Sequence, residues 1–470
     1  MIPAGRAFNV IDANQVKMIH HSALRILEEM GMQIQNKKLL LRLADRGLPV
    51  DLENERVRFP SPFVEQFIAD TEKYDWENVK PSIGSSAGVY HSLFHDPMTN
   101  QLVPWNEDRL AFYFSLARRM SHIGSASTLG SRVPVPDSLE ALYERYFCWK
   151  YGATEGGSIN IDEMCPYLYD LYQVFASERH ESLQQVFRGT VYLVPAMKLG
   201  VHEAYQIAYF LERGLHVHIG SSMMTMGANA PVTLAGAVTL NLAEQLALRI
   251  LDWVLFGEKH LSLYSSLSVL DMRSTIRPFG APEMAIANLM TAQIARFYGA
   301  SFSGHGGLTD SKLPSVESGA QKAMTALPTL MVSSSFWLDA GLLGIDEVCS
   351  PVQMILDNEF LSAIKRFVQE YEVTPETIGL ELILKVGPAG NYVDKMHTVR
   401  YFRNEHWRPS IWSRQMLNPW LAEGCRLDVD KAREMALDIQ KQPLDTSGMS
   451  EGLEQEVLKI IERAKRDLSN

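Results

Sequence analysis

A closed barrel of eight β/α units, a TIM-type (β/α)8 fold with helical extensions at both ends, is the class this 470-residue sequence predicts. Three observations point there. Short β-prone runs alternate with long helical segments at spacings of roughly 30 to 50 residues, as parallel β/α units require. Eight such runs can be read beyond Asn106. No G-x-G-x-x-G follows any of them, which disfavours the main competitor, a doubly wound dinucleotide-binding sheet.

In chain order, the pattern from Asn9 to about Asp70 is helical. IDANQVKMIHHSALRILEEMG ends on a glycine C-cap at Gly31, KKLLLRLADRGLPVD is a second short helix, and RVRFPSPFVEQFI turns into a third. The polar segment KPSIGSSAGVYHSLFHDPMTN reads as a linker, so residues 1–105 are expected to be an N-terminal helical region and its linker. The barrel is expected over 106–405. Its strands would be HIGSASTLGS, TEGGSIN, GTVYLVPAM, LHVHIGSSM, HLSLYSSLSV, ASFSGHGG, TLMVSSSFW and, near residue 384, LILKVGPAG. Residues 406–470, ending in the amphipathic EGLEQEVLKIIERAKRDLS, are expected to be a C-terminal helical extension packed on the barrel or on a second subunit of a homo-oligomer.

A net charge of −11 and a pI near 5.7 argue against nucleic-acid or anionic-membrane surfaces, which need clustered Lys and Arg. The N-terminus has no apolar core of signal-peptide length, and the most apolar stretch, Pro231 to Phe256, is interrupted by Glu244, Arg249 and Asp252. A soluble cytoplasmic protein is expected. Cys148, Cys165, Cys349 and Cys425 form no C-x-x-C pair, so neither a disulfide framework nor a cysteine zinc site is indicated.

Barrel enzymes carry their chemistry at strand C-termini. Here those ends present Asn229, then Tyr264, then His305, Asp310 and Lys312 in SFSGHGGLTDSK, then Phe336, Trp337 and Asp339, and finally Asn391, Tyr392, Asp394 and His397. There is no close carboxylate pair, G-x-S-x-G, P-loop or H-E-x-x-H, so the pattern assigns no catalytic residue and no metal site. His216 and His218 share one face of LHVHIG, where two readings stand: metal ligands, or imidazoles hydrogen-bonded inside the barrel. Gly306 and Gly307 let the loop after His305 turn sharply. Asp310 is expected to brace the following helix, which opens near Pro314, and Lys312 to pair with Asp310. Aromatic residues at the strand ends suit a quaternary ammonium, whose diffuse charge is attracted to ring faces.

The blocks GANAPVTLAGAVTLNLAEQLA, GAPEMAIANLMTAQIARFYGASFSGHGGLTDSK, DNEF and GPAGNYVDKMHTVRYFRNEHWRP, with IHHSALRILEEMGMQI and LAEGCRLDVDKAREMA at the ends, resemble the trimethylamine methyltransferase (MttB-type) superfamily of corrinoid-dependent methyltransferases over nearly the whole chain. The resemblance implies a TIM-type barrel that moves a methyl group from an N-methylated amine to the cobalt of a corrinoid (cobalamin) carried by a partner protein, with no cofactor tightly bound by this chain. Only the twenty standard residues occur, so the chain resembles the branch without pyrrolysine, whose substrates are quaternary amines such as glycine betaine, demethylated to dimethylglycine. Proline betaine, carnitine and γ-butyrobetaine remain alternatives, as does a non-catalytic quaternary-amine binder. On this reading Phe302, Tyr264, Phe336, Trp337 and Tyr392 surround the trimethylammonium group, while His305, His397 and Asn229 orient a carboxylate. A quaternary amine leaves as a neutral amine and needs no general acid, which fits the scarcity of acid/base pairs.

Overall fold

The computed structural model describes residues 9–89, 92–128, 133–194, 196–445 and 448–468. Among them a strand-then-helix unit recurs eight times: β1 (Ser82–Val89) and α1 (Glu107–Arg119), β2 (Ala126–Thr128) and α2 (Glu140–Tyr151), β3 (Thr154–Glu155) and α3 (Cys165–Arg179), β4 (Gly189–Leu193) and α4 (Val201–Leu211), β5 (Val217–Ser221) and α5 (Leu234–Phe256), β6 (Ser262–Tyr264) and α6 (Pro282–Tyr298), β7 (Ser301–His305) and α7 (Val316–Val332), β8 (Ser335–Ala340) and α8 (Pro351–Phe367). The main ladder runs β6-β7-β8-β1-β2-β3, each pair parallel. A second parallel pair joins β4 to β5, and a parallel bridge between Ser158 and Thr190 ties it to the β3 side. Because β8 lies beside β1, the sheet curls back on itself. No ladder joins β5 to β6 among the described residues; the Ser221 amide donates instead to the Tyr264 hydroxyl at 2.9 Å.

Two expectations need correction. The run near residue 384 is not a strand: Leu380–Val386 is a helix with no buried residue, flanked by Gly379 and Gly387 at positive φ. Its Leu, Glu and Lys are good helix formers, and no sheet edge is offered to it. The strand absent from the sequence reading is β1, which lies inside the expected linker. SIGSSAGV carries almost no β-propensity because it is buried between β8 and β2 with no room for large side chains. Gly84 is register-paired with Trp337, and a Cβ there would lie 2.6 Å from the indole Cε3. Small residues in β1 are what the bulk of β8 demands.

The strands show the inside-outside alternation that a curled sheet wrapped by helices requires. On β7, Phe302 is fully buried while Ser303 and His305 are partly open; on β8, Phe336 and Leu338 are buried while Trp337 is 41% exposed. The outward residues build the core against the helices. Helix α5 is long and apolar enough to cross a membrane, yet 78% of its most apolar window is buried within the fold, as befits a core helix.

The expected N-terminal helices are present at Ala13–Arg25, Lys37–Asp45 and Ser61–Asp70. Asp12 and Gln15 form a capping box on the first. Gly31 turns the chain at φ +66°, where any Cβ would strike the Val57 carbonyl. At the other end, Glu451–Leu468 buries Leu453, Val457, Ile460 and Ile461 and packs on α3.

Candidate active site

Residues of the curled sheet, together with Arg249 of α5 and the loop residues His260 and Arg277, line a cavity of about 940 Å³. Its lining is dominated by serine hydroxyls, among them Ser127, Ser221, Ser262 and Ser303, with three larger rings, Tyr192, Tyr264 and Trp337. The charged and titratable lining consists of His218, Arg249, His260, Arg277, His305 and Asp339.

The His305–Asp339 pair lies at the C-terminal ends of β7 and β8. His305 Nε2 is 2.9 Å from Asp339 Oδ2, and Trp337 Nε1 donates to Asp339 Oδ1 at 3.1 Å. Asp339 is buried, yet the bond and charge of His305 more than offset the burial and hold its carboxyl below the ordinary carboxylate range. His305 is opposed by burial but is held above its ordinary value by Asp339. The pair also pins the indole of Trp337 across Gly84.

Beside this pair lies Asp346, in a run of left-handed backbone at Gly344, Ile345 and Asp346, with φ of 59°, 58° and 65°. A β-branched residue there is strained, and Ile345 is held by packing against Phe279, Met284 and Leu308. Burial, then the charge of Asp339, pushes the Asp346 carboxyl up to about 7. Burial keeps the phenols of Tyr192 and Tyr264 above their ordinary value and so neutral.

On the opposite wall, Arg249 pairs with Asp252 at 3.0 Å and donates to His260 at 3.0 Å. Burial, reinforced by Arg249, keeps His218 and His260 below their ordinary values. His216 lies outside the lining, against Phe256 and 3.9 Å from Asp252. No group of three His, Cys, Asp or Glu that could hold a metal occurs among the described residues.

Of the residues expected at the site, Tyr264, His305 and Trp337 come together here. Phe302 and Phe336 are in the core outside the strands, 0% and 2% exposed, because they occupy outward positions of the β alternation. Asn229 lies in an exposed turn, where its Oδ1 accepts the Thr225 amide at 2.6 Å. His397 opens the helix Met396–Glu405 and packs on Tyr401, and Tyr392 lies in the turn before it; with no strand near 384, neither is delivered to the cavity.

Asp310 braces backbone, though not that of its own helix: it accepts the amides of Phe279 at 2.6 Å and Gly280 at 3.0 Å. Helix α7 is capped instead by Ser315 with Ser318. Lys312 pairs with Glu347 at 3.5 Å and reaches only the main-chain oxygen of Asp310. At Gly306 a Cβ would lie 2.6 Å from the Thr325 carbonyl oxygen, and Gly307 has φ +76°. Tyr192, Arg249, His260, Arg277 and Asp346 escaped sequence reading. The one available signal was the serine richness of the strand ends, which marks positions too polar for a core.

A family model covering most of the chain shows its family. A model described as trimethylamine methyltransferase (MTTB) matches residues 3–77 and 168–469. A trimethylamine methyltransferase MttB of Desulfitobacterium hafniense is 25% identical over 90% of this chain and 87% of its own length. A glycine betaine methyltransferase from another strain of that organism is 27% identical over 88% and 89%. Among solved structures, the monomethylamine methyltransferase of Methanosarcina barkeri aligns over 97% of this chain and 87% of its own, at 10% identity and a TM-score of 0.45.

Proposed function

Since the chain belongs to the trimethylamine methyltransferase family and is a methyltransferase, we propose that it takes a methyl group from a quaternary trimethylammonium compound, glycine betaine first among candidates, and delivers it to a corrinoid carried by a separate protein. The observation that carries this reading is the cavity wall of Trp337, Tyr264 and Tyr192 beside the hydrogen-bonded His305–Asp339 pair. Ring faces attract a cation by roughly 0.5 to 2 kcal/mol each.

Docked at the mouth, the corrinoid supplies a cobalt(I) nucleophile for the methyl group. A cavity of about 940 Å³ exceeds what a small amine fills, which suits a macrocycle approaching from the strand C-termini. The chain's own task is positioning. Trp337 is held from below by Gly84 and from the side by Asp339, so the ring that meets the ammonium is preorganised. As the C–N bond breaks, its electron pair stays on nitrogen and the amine departs neutral, so no residue has to donate a proton.

We read the barrel as closing between β5 and β6 through Ser221 and Tyr264, with its units spanning residues 82–367 and acting in the cytoplasm. The helices Pro375–Ile378, Leu380–Val386, Met396–Glu405 and Leu417–Ala422 bury none of their residues, and a homo-oligomer would cover them.

The test is optical. Purified protein, chemically reduced cob(I)alamin and one amine at a time are mixed without oxygen, and the cobalt(I) absorbance is followed. Its loss with glycine betaine and not with trimethylamine is expected; loss with trimethylamine alone would overturn the quaternary reading.

A further inference from the structure

The two guanidinium groups lining the cavity are in opposite electrostatic situations. Arg249 is neutralised by Asp252 at 3.0 Å. Arg277 has no such partner: among the described residues no carboxylate lies within ion-pair distance of it. Its one polar contact is a long 3.5 Å approach to the Met223 carbonyl, and its Nε is buried without a hydrogen bond.

This arginine is nevertheless held in place. The ring of Phe279 lies 5.4 Å from its guanidinium carbon. Asp310 clamps the amides of Phe279 and Gly280, and Ser268 donates to the Pro278 carbonyl at 2.7 Å. The loop behind Arg277 is thus tied at three successive residues, and the side chain projects from it to the cavity wall.

A fixed, uncompensated cation is the wrong fitting for a ligand that is only a cation, since like charges in a partly desolvated cavity repel. The remaining acids cancel it only in part. Asp339 is committed to His305 and Trp337, and Asp346, near enough to feel Arg277, is driven toward its protonated form by burial and by Asp339.

We propose that Arg277 is the anion-binding residue of the substrate site, so that the substrate is a zwitterion: its ammonium faces Trp337 and Tyr264 while an anionic group, a carboxylate in the first instance, pairs with Arg277. This rests on the quaternary-amine reading and narrows it, excluding choline-like and simple tetraalkylammonium donors as preferred substrates. It also gives Asp310 a purpose, as the residue that orients the arginine's loop.

Calorimetric titration of the full-length protein tests this with glycine betaine and γ-butyrobetaine as zwitterions, and with choline and tetramethylammonium as cations without an anion. Wild type should bind a zwitterion at least about tenfold more tightly than choline. Arg277→Gln should weaken the zwitterions by about ten- to a hundredfold, the range for losing a charged hydrogen-bond partner. Choline and tetramethylammonium should bind it as well as wild type or better, which also shows that the cavity is intact. Arg277→Lys should keep part of the zwitterion preference.

Equal weakening of all four ligands would mean that Arg277 only shapes the cavity, and unchanged zwitterion binding would remove it from the site; either overturns the proposal. Wild type preferring choline or tetramethylammonium would overturn the zwitterion and leave the quaternary reading standing. Wild type binding none of the four would overturn both.

Discussion

Gly84→Ala isolates the placement of Trp337, because the glycine's backbone is not in the left-handed region and only the added methyl matters. That methyl would lie 2.6 Å from Cε3 and 2.7 Å from Cζ3 of the indole, whereas ordinary contact begins at 3.4 Å. The ring must retreat by about 1 Å. Its other end is tied to Asp339 at 3.1 Å, so the retreat breaks or bends that bond. Losing a hydrogen bond to a carboxylate costs about 1.5 kcal/mol or more, and overpacking about 1 to 3. Because Trp337 is 41% exposed and can swing into the cavity, the stability loss should fall at the low end, about 1 to 2 kcal/mol. Loss of one ring face from the cation should weaken tetramethylammonium about two- to thirtyfold. Calorimetry and thermal denaturation on the same preparation read both effects. Affinity and melting temperature both equal to wild type would show that the indole does not lie over Gly84, and would remove Trp337 from the cavity wall.

Gly306→Ala meets backbone rather than a movable ring, with its Cβ 2.6 Å from the Thr325 oxygen, so chemical denaturation should show a loss of about 3 kcal/mol; a loss under 1 would contradict the packing of β7 on α7. Lys322→Met strands the buried Asp357, its partner at 3.0 Å, and should cost about 3 to 5 kcal/mol, with Lys322→Met/Asp357→Leu regaining much of it; a double variant no better than the single would refute the pairing. Burial and then the charge of Asp339 push the Asp346 carboxyl up to about 7, while His305, Arg277 and Lys322 pull it the other way. Between the ordinary carboxylate range and pH 7 the folded chain therefore holds a proton that the unfolded chain has lost, and stability must fall as pH rises through that window. His305, also raised, adds a loss of the same sign as pH passes its folded value. Asp346→Asn should flatten the slope of unfolding free energy between pH 5 and pH 7, and an unaltered slope would place the proton elsewhere.

Seven of the eight parallel strands and all three N-terminal helices were legible in the sequence, because periodicity and turn chemistry are local. The seven strands advertise themselves by branched and aromatic residues or by a following Gly- and Ser-rich loop. His305, Trp337 and Tyr264 were legible as cavity residues because each lies at or near the C-terminal end of a strand that the sequence shows. What eluded sequence reading was set by neighbours distant along the chain. β1 reads as a linker because Trp337, some 250 residues on, takes the volume its side chains would occupy. Leu380–Val386 reads as a strand because apolar content alone does not say whether a sheet edge is available. Whether an aromatic faces the cavity or the helices depends on strand phase, and Phe302 and Phe336 are one residue out of phase with the lumen. The charge state of the site is more distant still from the sequence. Arg249 and Arg277 are the same residue type: the carboxylate of Arg249 comes from Asp252, three residues on along the same helix, and so follows from spacing, whereas only tertiary structure brings Arg277 to the cavity wall with no carboxylate at ion-pair distance among the described residues.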